Sequence, residues 1–281
     1  MELSPKRVPM LFFQRKTARA IPLRPLINRW FVLALAAAVA ATAFFLLYGD
    51  PLVMPPKKLL VGLSEVMTRF GYGAYLLVPT GVLILLLLPT QRLALSRMAH
   101  ATIAAIAVQL TLVFSAVAIP GALSALAKGL IGRARPKFFH GSSAAGFDPL
   151  AWKAASESFP SGHTTIAFAT AVVLGALFPR LRVPFFVIAV MVGLSRIALR
   201  AHYPSDALAG AIVGVVFATL IVRAFAARRL GVAVTLDGTI KPKAMPSIGR
   251  LGRLAAEVLA TLRGRVPARP LARNGEIFER N

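Results

Sequence analysis

The stretch PSGHTTIAFATAVVLGALFP, residues 160–179, joins a polar turn to an apolar run. The turn offers groups that handle anions, and the run from Thr164 onward offers hydrocarbon. Its apolar residues follow each other without the spacing of an amphipathic helix or a half-buried strand, so it reads as a segment dissolved in a bilayer. Runs of the same kind lie near 31–48, 72–89, 101–126, 183–199 and 206–223. Crossing about 30 Å of hydrocarbon takes roughly 20 apolar residues, with a usual range of ~17 to 25. The runs at 164–179, 183–199 and 206–223 are short, but each adjoins a polar motif whose buried groups can extend a helix beyond its lipid-facing part. The expected fold is therefore all-α, a polytopic membrane protein with six transmembrane helices, since a barrel would show short alternating strands. Pro79 and Pro120-Gly121 interrupt two spans and are expected to kink or break them.

Composition agrees with a bilayer setting, because 57% of the 281 residues are hydrophobic and only 15% are charged. The order of segments divides the chain into a basic N-terminal segment over 1–29, a membrane domain over 30–223 and a basic tail over 224–281. Ala38-Val39-Ala40 offers a small-residue cleavage site within the first run. The basic stretch ahead of it is too long for a signal peptide, however, and hydrophobicity continues to Leu47, as in an uncleaved anchor. Cysteine is absent, which excludes disulfides and thiolate chemistry.

Lysine and arginine set the expected orientation. Residues 1–29 carry seven of them and the tail from Arg223 onward carries twelve, with Arg92, Arg97, Arg180 and Arg182 between spans on the same side. By the positive-inside rule this side is cytoplasmic, so both termini are cytoplasmic and the loops after Lys128 and Ala198 face outward. The loop from Lys128 to Lys153 is itself basic, which recruitment of cations for chemistry would explain. A net charge of +23 would suggest nucleic acid in a soluble protein. Here it sits mostly in the tails, where it attracts anionic lipid head groups at about 1 kcal/mol per residue, and no nucleic-acid partner is expected. Leu251, Leu254, Ala255, Val258, Leu259 and Leu262 fall at helical spacing among arginines, as in an interfacial helix. Pro55-Pro56-Lys57-Lys58 reads equally as the start of another such helix or as a linker.

The chemistry lies in three patterns: Lys128 with Arg135-Pro136, then Pro160-Ser161-Gly162-His163, then Ser195-Arg196 with His202 and Asp206. Phosphate monoester hydrolysis requires a neutralised dianion, an in-line nucleophile and a protonated leaving oxygen. Lys128, Arg135 and Arg196 can surround the non-bridging oxygens, the arginines by bidentate hydrogen bonds. A single arginine at a membrane edge more often snorkels, and Arg133, Lys137 and Arg200 are assigned to that role. Gly162 lets the backbone turn its N–H groups to an anion ahead of a helix N-terminus. Ser161 adds a donor or simply caps that helix. His163 suits a general acid, whereas His100 and His140 read as interfacial residues. Pro204 favours a helix starting there, with His202 just ahead and Asp206 in the opening turn. Asp206 then serves the helix dipole, or accepts the proton on one ring nitrogen of His202 and frees the other to attack phosphorus.

The three patterns together resemble the signature of the type 2 phosphatidic acid phosphatase (PAP2) superfamily, which includes membrane lipid phosphatases, glucose-6-phosphatase and soluble vanadium haloperoxidases. The resemblance is close from Lys128 to Asp206 and elsewhere rests on the six-span architecture. It implies a PAP2-like helical bundle and a phosphohistidine mechanism. His202 would be the nucleophile, Asp206 its partner, and His163 the acid and then the group that activates water. Lys128, Arg135, Ser161, Gly162 and Arg196 would bind phosphate. The resemblance also implies a reaction without metal or cofactor, and Asp148, Glu157 and Asp206 are a poor set for magnesium.

A haloperoxidase would be soluble, so the lipid phosphatase branch fits best, embedded in a bacterial inner membrane with its site facing the periplasm. Phosphatidic acid, phosphatidylglycerophosphate, undecaprenyl diphosphate and phosphorylated lipid A all fit as substrates, because the loop from Arg135 to Pro160 is too short for a head-group-selecting domain. Two alternatives are a phosphotransferase with a polyprenyl diphosphate donor and a non-catalytic lipid-phosphate binding or transport protein. Binding alone gives no reason for the set His163, His202 and Asp206. Phosphate release is expected to persist in EDTA, and its loss on chelation would contradict this mechanism.

Overall fold

The computed structural model describes residues 29–48, 50, 58–138, 146–235 and 239–264. The basic segment before Arg29, Pro55-Pro56-Lys57, His140 and the end of the tail lie outside the described residues. Eight helices follow in order: α1 (Arg29–Tyr48), α2 (Lys58–Arg69), α3 (Ala74–Leu87), α4 (Arg97–Ile131), α5 (Gly162–Leu177), α6 (Arg182–Ala198), α7 (Pro204–Ala227) and α8 (Ile248–Leu262).

The described residues are mostly helical, and among them four helical stretches are long and apolar enough to cross a membrane. These are Lys58–Arg92, Arg97–Ile131, Pro179–Ala198 and Pro204–Ala227, while Val32–Tyr48 and Gly162–Leu177 are shorter apolar helices. The first stretch is not continuous, because a turn at 70–73 separates the amphipathic α2 from the apolar α3. The segment read equally as a helix start or a linker therefore leads into a helix. Pro79 and Pro120 both lie inside helices that continue through them, so neither breaks its span. At 1.5 Å per residue, the 35-residue α4 is about 52 Å long and outreaches the hydrocarbon core at its ends.

The all-α expectation needs one correction. Strands β1 (Val232–Val234) and β2 (Ile240–Pro242) pair antiparallel, with Ala233 opposite Lys241. Val232 is fully buried beside Leu112, Val117, Val222 and Ala226, and Gln109 Nε2 donates to the Gly231 carbonyl at 3.0 Å. Residues past 223 thus complete the core formed by α4, α5 and α7. The amphipathic α8 is present, and Ser96, the N-cap of α4, donates from its Oγ to Glu257 at 2.9 Å.

The α5–α7 contact is the most extensive in the bundle, and small residues permit it. A Cβ on Gly210 would lie 2.5 Å from the Ser161 carbonyl oxygen, and one on Gly214 would lie 2.4 Å from that of Thr165. Lipid tails are as apolar as the side chains, so helices in a bilayer associate through close backbone packing and polar contacts rather than by the hydrophobic effect. This contact sets the N-termini of α5 and α7 side by side, and Ser161 N donates to the Asp206 carbonyl at 2.9 Å. We expect Gly214→Val to destabilise the protein by about 1 to 3 kcal/mol or more through overpacking. Thermal unfolding in detergent checks this, and an unchanged midpoint would contradict the contact.

Candidate functional site

All three motif segments meet at one end of the bundle, where α4 ends, α5 begins, α6 ends and α7 begins. Gly132 closes α4 with φ +67, and a Cβ there would fall 1.7 Å from the Asp148 carbonyl oxygen. That turn sends residues 133–135 along the Asp148–Ser158 segment: Ser158 N donates to Arg133 O at 2.9 Å and Arg135 N to Ala155 O at 2.8 Å.

Arg133 is not a snorkelling anchor, as the sequence reading had it. Its side chain is 1% exposed and lies at the centre of an ion cluster. Nη1 donates to Asp206 Oδ1 and to Ser205 Oγ, both at 2.6 Å, and Nη2 donates to Asp50 Oδ2 at 2.8 Å. Asp50 also accepts from Ser205 N at 2.8 Å and from Ser205 Oγ at 2.6 Å. The guanidinium stands 4.2 Å from the ring centroid of Tyr203. An arginine carrying this many fixed partners is already committed to them.

Asp206 is fully buried and acts only as an acceptor, as an ionised carboxylate does. Besides Arg133, it takes hydrogen bonds at Oδ2 from Ser158 Oγ at 2.5 Å and from Tyr203 N at 2.8 Å. The second satisfies an N–H at the start of α7, beside the favourable end of the helix dipole. The expected Asp206 to His202 hydrogen bond is replaced by a different arrangement. Nδ1 of His202 lies 2.8 Å from the Ser158 carbonyl oxygen and 3.7 Å from Asp206 Oδ2. A carbonyl can only accept, so Nδ1 carries the proton and Nε2 keeps its lone pair. Burial holds the His202 imidazole down at about 4, so it is neutral at pH 7.

The remaining cations stand apart from this cluster. Among the described residues, Lys128, Arg135 and Arg196 have no carboxylate within ion-pair distance, and Nε of both arginines is buried without a hydrogen-bond partner. Arg196 Nη1 donates to Thr68 Oγ1 of α2 at 2.7 Å, so the first outer loop contributes to the site. A Cβ on Gly162 would lie 3.2 Å from Lys128 Nζ, which shows how closely the lysine approaches the α5 N-terminus. Ser161 holds the N-cap position without capping through its side chain, and its Oγ instead accepts from Thr164 Oγ1 at 2.9 Å. Arg196, Lys128 and Arg135 act electrostatically on His163, and its ring stands 6.3 Å from that of Tyr72. Glu157 acts electrostatically on both Lys128 and Arg135 and tempers the local positive charge. Lys137 and Arg200 take no part: Lys137 is exposed, 4.8 Å from the Phe138 ring centroid, and Arg200 occupies the turn after α6.

Sequence reasoning missed Asp50, Arg133, Ser158, Ser205 and Thr68. Asp50 carried a signal, since it is one of only ten acidic residues in a chain of 281 and directly follows an apolar span. Arg133 carried another, because it sits two residues before Arg135 and extended backbone points positions i and i+2 to one side.

Comparison with known proteins finds related membrane phosphatases. A family model described as the PAP2 superfamily matches residues 109–230. A lipid A 1-phosphatase from Rhizobium etli is 39% identical over 142 residues, which cover 50% of this chain and 61% of that protein. One from Rhizobium johnstonii is 36% identical over 200 residues, covering 69% of this chain and 77% of that protein. Among solved structures, the transmembrane PAP2 type phosphatidylglycerolphosphate phosphatase from Bacillus subtilis aligns with a TM-score of 0.42 at 22% identity, covering 71% of this chain and 88% of that one.

Arg133→Met leaves two buried carboxylates without their cation, and loss of one partner of a buried pair costs about 3 to 5 kcal/mol. We expect it to lower the unfolding midpoint in detergent well below that of Arg200→Met, which should stay within about 0.5 kcal/mol of the parent. Equal midpoints for the two variants would contradict the cluster.

Proposed function

This chain belongs to the PAP2 superfamily and is a membrane phosphatase acting on lipid phosphoric esters; from there we propose that it removes the 1-phosphate of a lipid A-type glycolipid through a covalent phosphate on His202. One observation carries the chemistry. The structure holds two separate sets of cations: Arg133 neutralised by Asp50 and Asp206, and Lys128, Arg135 and Arg196 left without carboxylate partners around His163 and His202. The names of the relatives support the substrate.

The mechanism follows from the arrangement. The phosphate dianion sits among Lys128, Arg135 and Arg196, with the N-terminus of α5 at Gly162 and the Ser161 hydroxyl adding donors. The Ser158 carbonyl fixes the His202 tautomer, so Nε2 attacks phosphorus as the bond to the lipid oxygen breaks. His163, protonated once the phosphate dianion lies beside it, gives that proton to the lipid oxygen, and it is the His202 ring that is left phosphorylated. The ring then carries a positive charge, which Asp206 stabilises from 3.7 Å while Arg133 and Ser158 keep the carboxylate in place. Neutral His163 next takes a proton from water, whose oxygen bonds to phosphorus as the bond to His202 breaks and inorganic phosphate leaves.

Helix direction supports the proposed sidedness. The site lies at the end shared by Lys128, Gly162, Arg196 and Pro204, while Arg92, Arg97, Arg180, Arg182 and α8 lie at the other. With the basic end cytoplasmic, the site faces the periplasm of an inner membrane and the six apolar helices all cross.

The test is phosphate release in detergent micelles from lipid A, phosphatidic acid, phosphatidylglycerophosphate and undecaprenyl diphosphate, beside His202→Ala. The expected result is release from the 1-position of lipid A, reduced by more than about 10³-fold in the variant. Preferred release from another of the four would overturn the substrate, and label appearing on an acceptor lipid instead of free phosphate would overturn hydrolysis.

A further inference from the structure

A cavity of about 1010 Å³ lies between α1, α5, α6, α7 and the β1–β2 hairpin. It belongs to neither the motif residues nor their partners. Along α7 its wall is a stripe at helical spacing, Leu208, Ile212, Val215, Thr219 and Val222, ending at Arg223. From Leu208 to Arg223 this stripe runs about 22 Å at 1.5 Å per residue, more than the roughly 15 Å of one leaflet's hydrocarbon. Ala34 and Ala38 of α1 and Phe168 and Val172 of α5 contribute further apolar wall.

Its polar groups are not distributed evenly. Arg182 opens α6, Arg223 lies in the last turns of α7 and Lys241 lies in β2, so all three cations are at the end away from His202. No carboxylate is among the described lining residues. A long apolar slot ending in the exposed Arg182 and Lys241 fits an amphiphile with one anionic head and hydrocarbon chains. Within a bilayer, a substrate phosphate bound at the catalytic end would lie at the opposite face from these cations.

We propose that this cavity is a binding site for an anionic phospholipid of the leaflet opposite the catalytic site, its phosphodiester held by Arg182 and Lys241 and one acyl chain laid along α7. The lipid joins α5 and α7 at the ends opposite His163 and Asp206, and so stabilises the helix pair that carries the catalytic groups.

The experiment adds dioleoylphosphatidylglycerol or dioleoylphosphatidylcholine to the delipidated protein in detergent. Native mass spectrometry reads the bound lipid and thermal unfolding reads the stabilisation. One phosphatidylglycerol should bind at least about tenfold more tightly than phosphatidylcholine and raise the unfolding midpoint by several degrees. Arg182→Ala combined with Lys241→Ala, both exposed, should bring its affinity to the level of phosphatidylcholine, and Thr219→Trp should block the chain and reduce binding of both lipids. Arg135→Ala combined with Arg196→Ala should leave binding unchanged. Equal binding of the two lipids, undiminished phosphatidylglycerol binding in the Arg182/Lys241 or Thr219 variants, or loss of binding in the Arg135/Arg196 variant would each overturn the proposal. None of these readouts depends on turnover, so failure here is distinct from failure of the lipid A reading.

Discussion

A guanidinium shared between two buried carboxylates is the interaction on which the rest of the site depends. Burying an ion costs several kcal/mol, and only good geometry with further hydrogen bonds offsets it. Arg133 meets this condition by donating to Asp50, Ser205 and Asp206, while Ser158, Ser205 and Tyr203 satisfy the remaining carboxylate oxygens. The cluster ties together the end of α1, the segment after α4, the loop before α5 and the start of α7. Ser158 belongs to it through its hydroxyl and orients His202 through its carbonyl. The structural cluster and His202 are thus held by the same residue.

Its second effect is a division of labour among the cations. A basic site in an apolar protein would collapse onto any carboxylate within reach. Asp50 and Asp206 are both occupied by Arg133, and among the described residues Lys128, Arg135 and Arg196 form no ion pair, with Glu157 acting on the first two only from a distance. Preorganised charge of this sort stabilises a transition state without rearrangement during the reaction. The bilayer adds the framework. With little hydrophobic force to bring helices together, Gly210 and Gly214 supply backbone contact, and that contact aligns the N-termini that carry His163 and Asp206.

How much of this was legible in the sequence depended on range. Apolar runs gave the helices to within a few residues, because burial in lipid leaves a continuous signal. The helix start at Pro204 was equally readable from local rules, with Asp206 in the first turn. The motif residues lie together because they fall at the end of α4, the start of α5, the end of α6 and the start of α7, which share one end of the bundle. Partners distant in sequence were not visible. Asp50 and Arg133 are separated by 83 residues, Arg133 and Asp206 by 73, and no local pattern pairs them. The β1–β2 hairpin escaped for another reason: two three-residue strands in a basic tail carry too little periodicity to stand out. The partner of the His202 Nδ1 proton was assigned by residue type, carboxylate over carbonyl, and only the loop geometry at Ser158 reveals the nearer acceptor.

The central claim is that phosphorus becomes bonded to Nε2 of His202 while its neighbours stay fixed. The most direct test is a rapid quench at high pH, where phosphohistidine survives, during a single turnover with phosphate-labelled lipid, followed by peptide mapping. The account predicts one phosphate per chain on His202, formed before inorganic phosphate appears and then lost at the rate of its release. Phosphate released without any labelled protein, or label found on Ser161 or His163 instead, would contradict it.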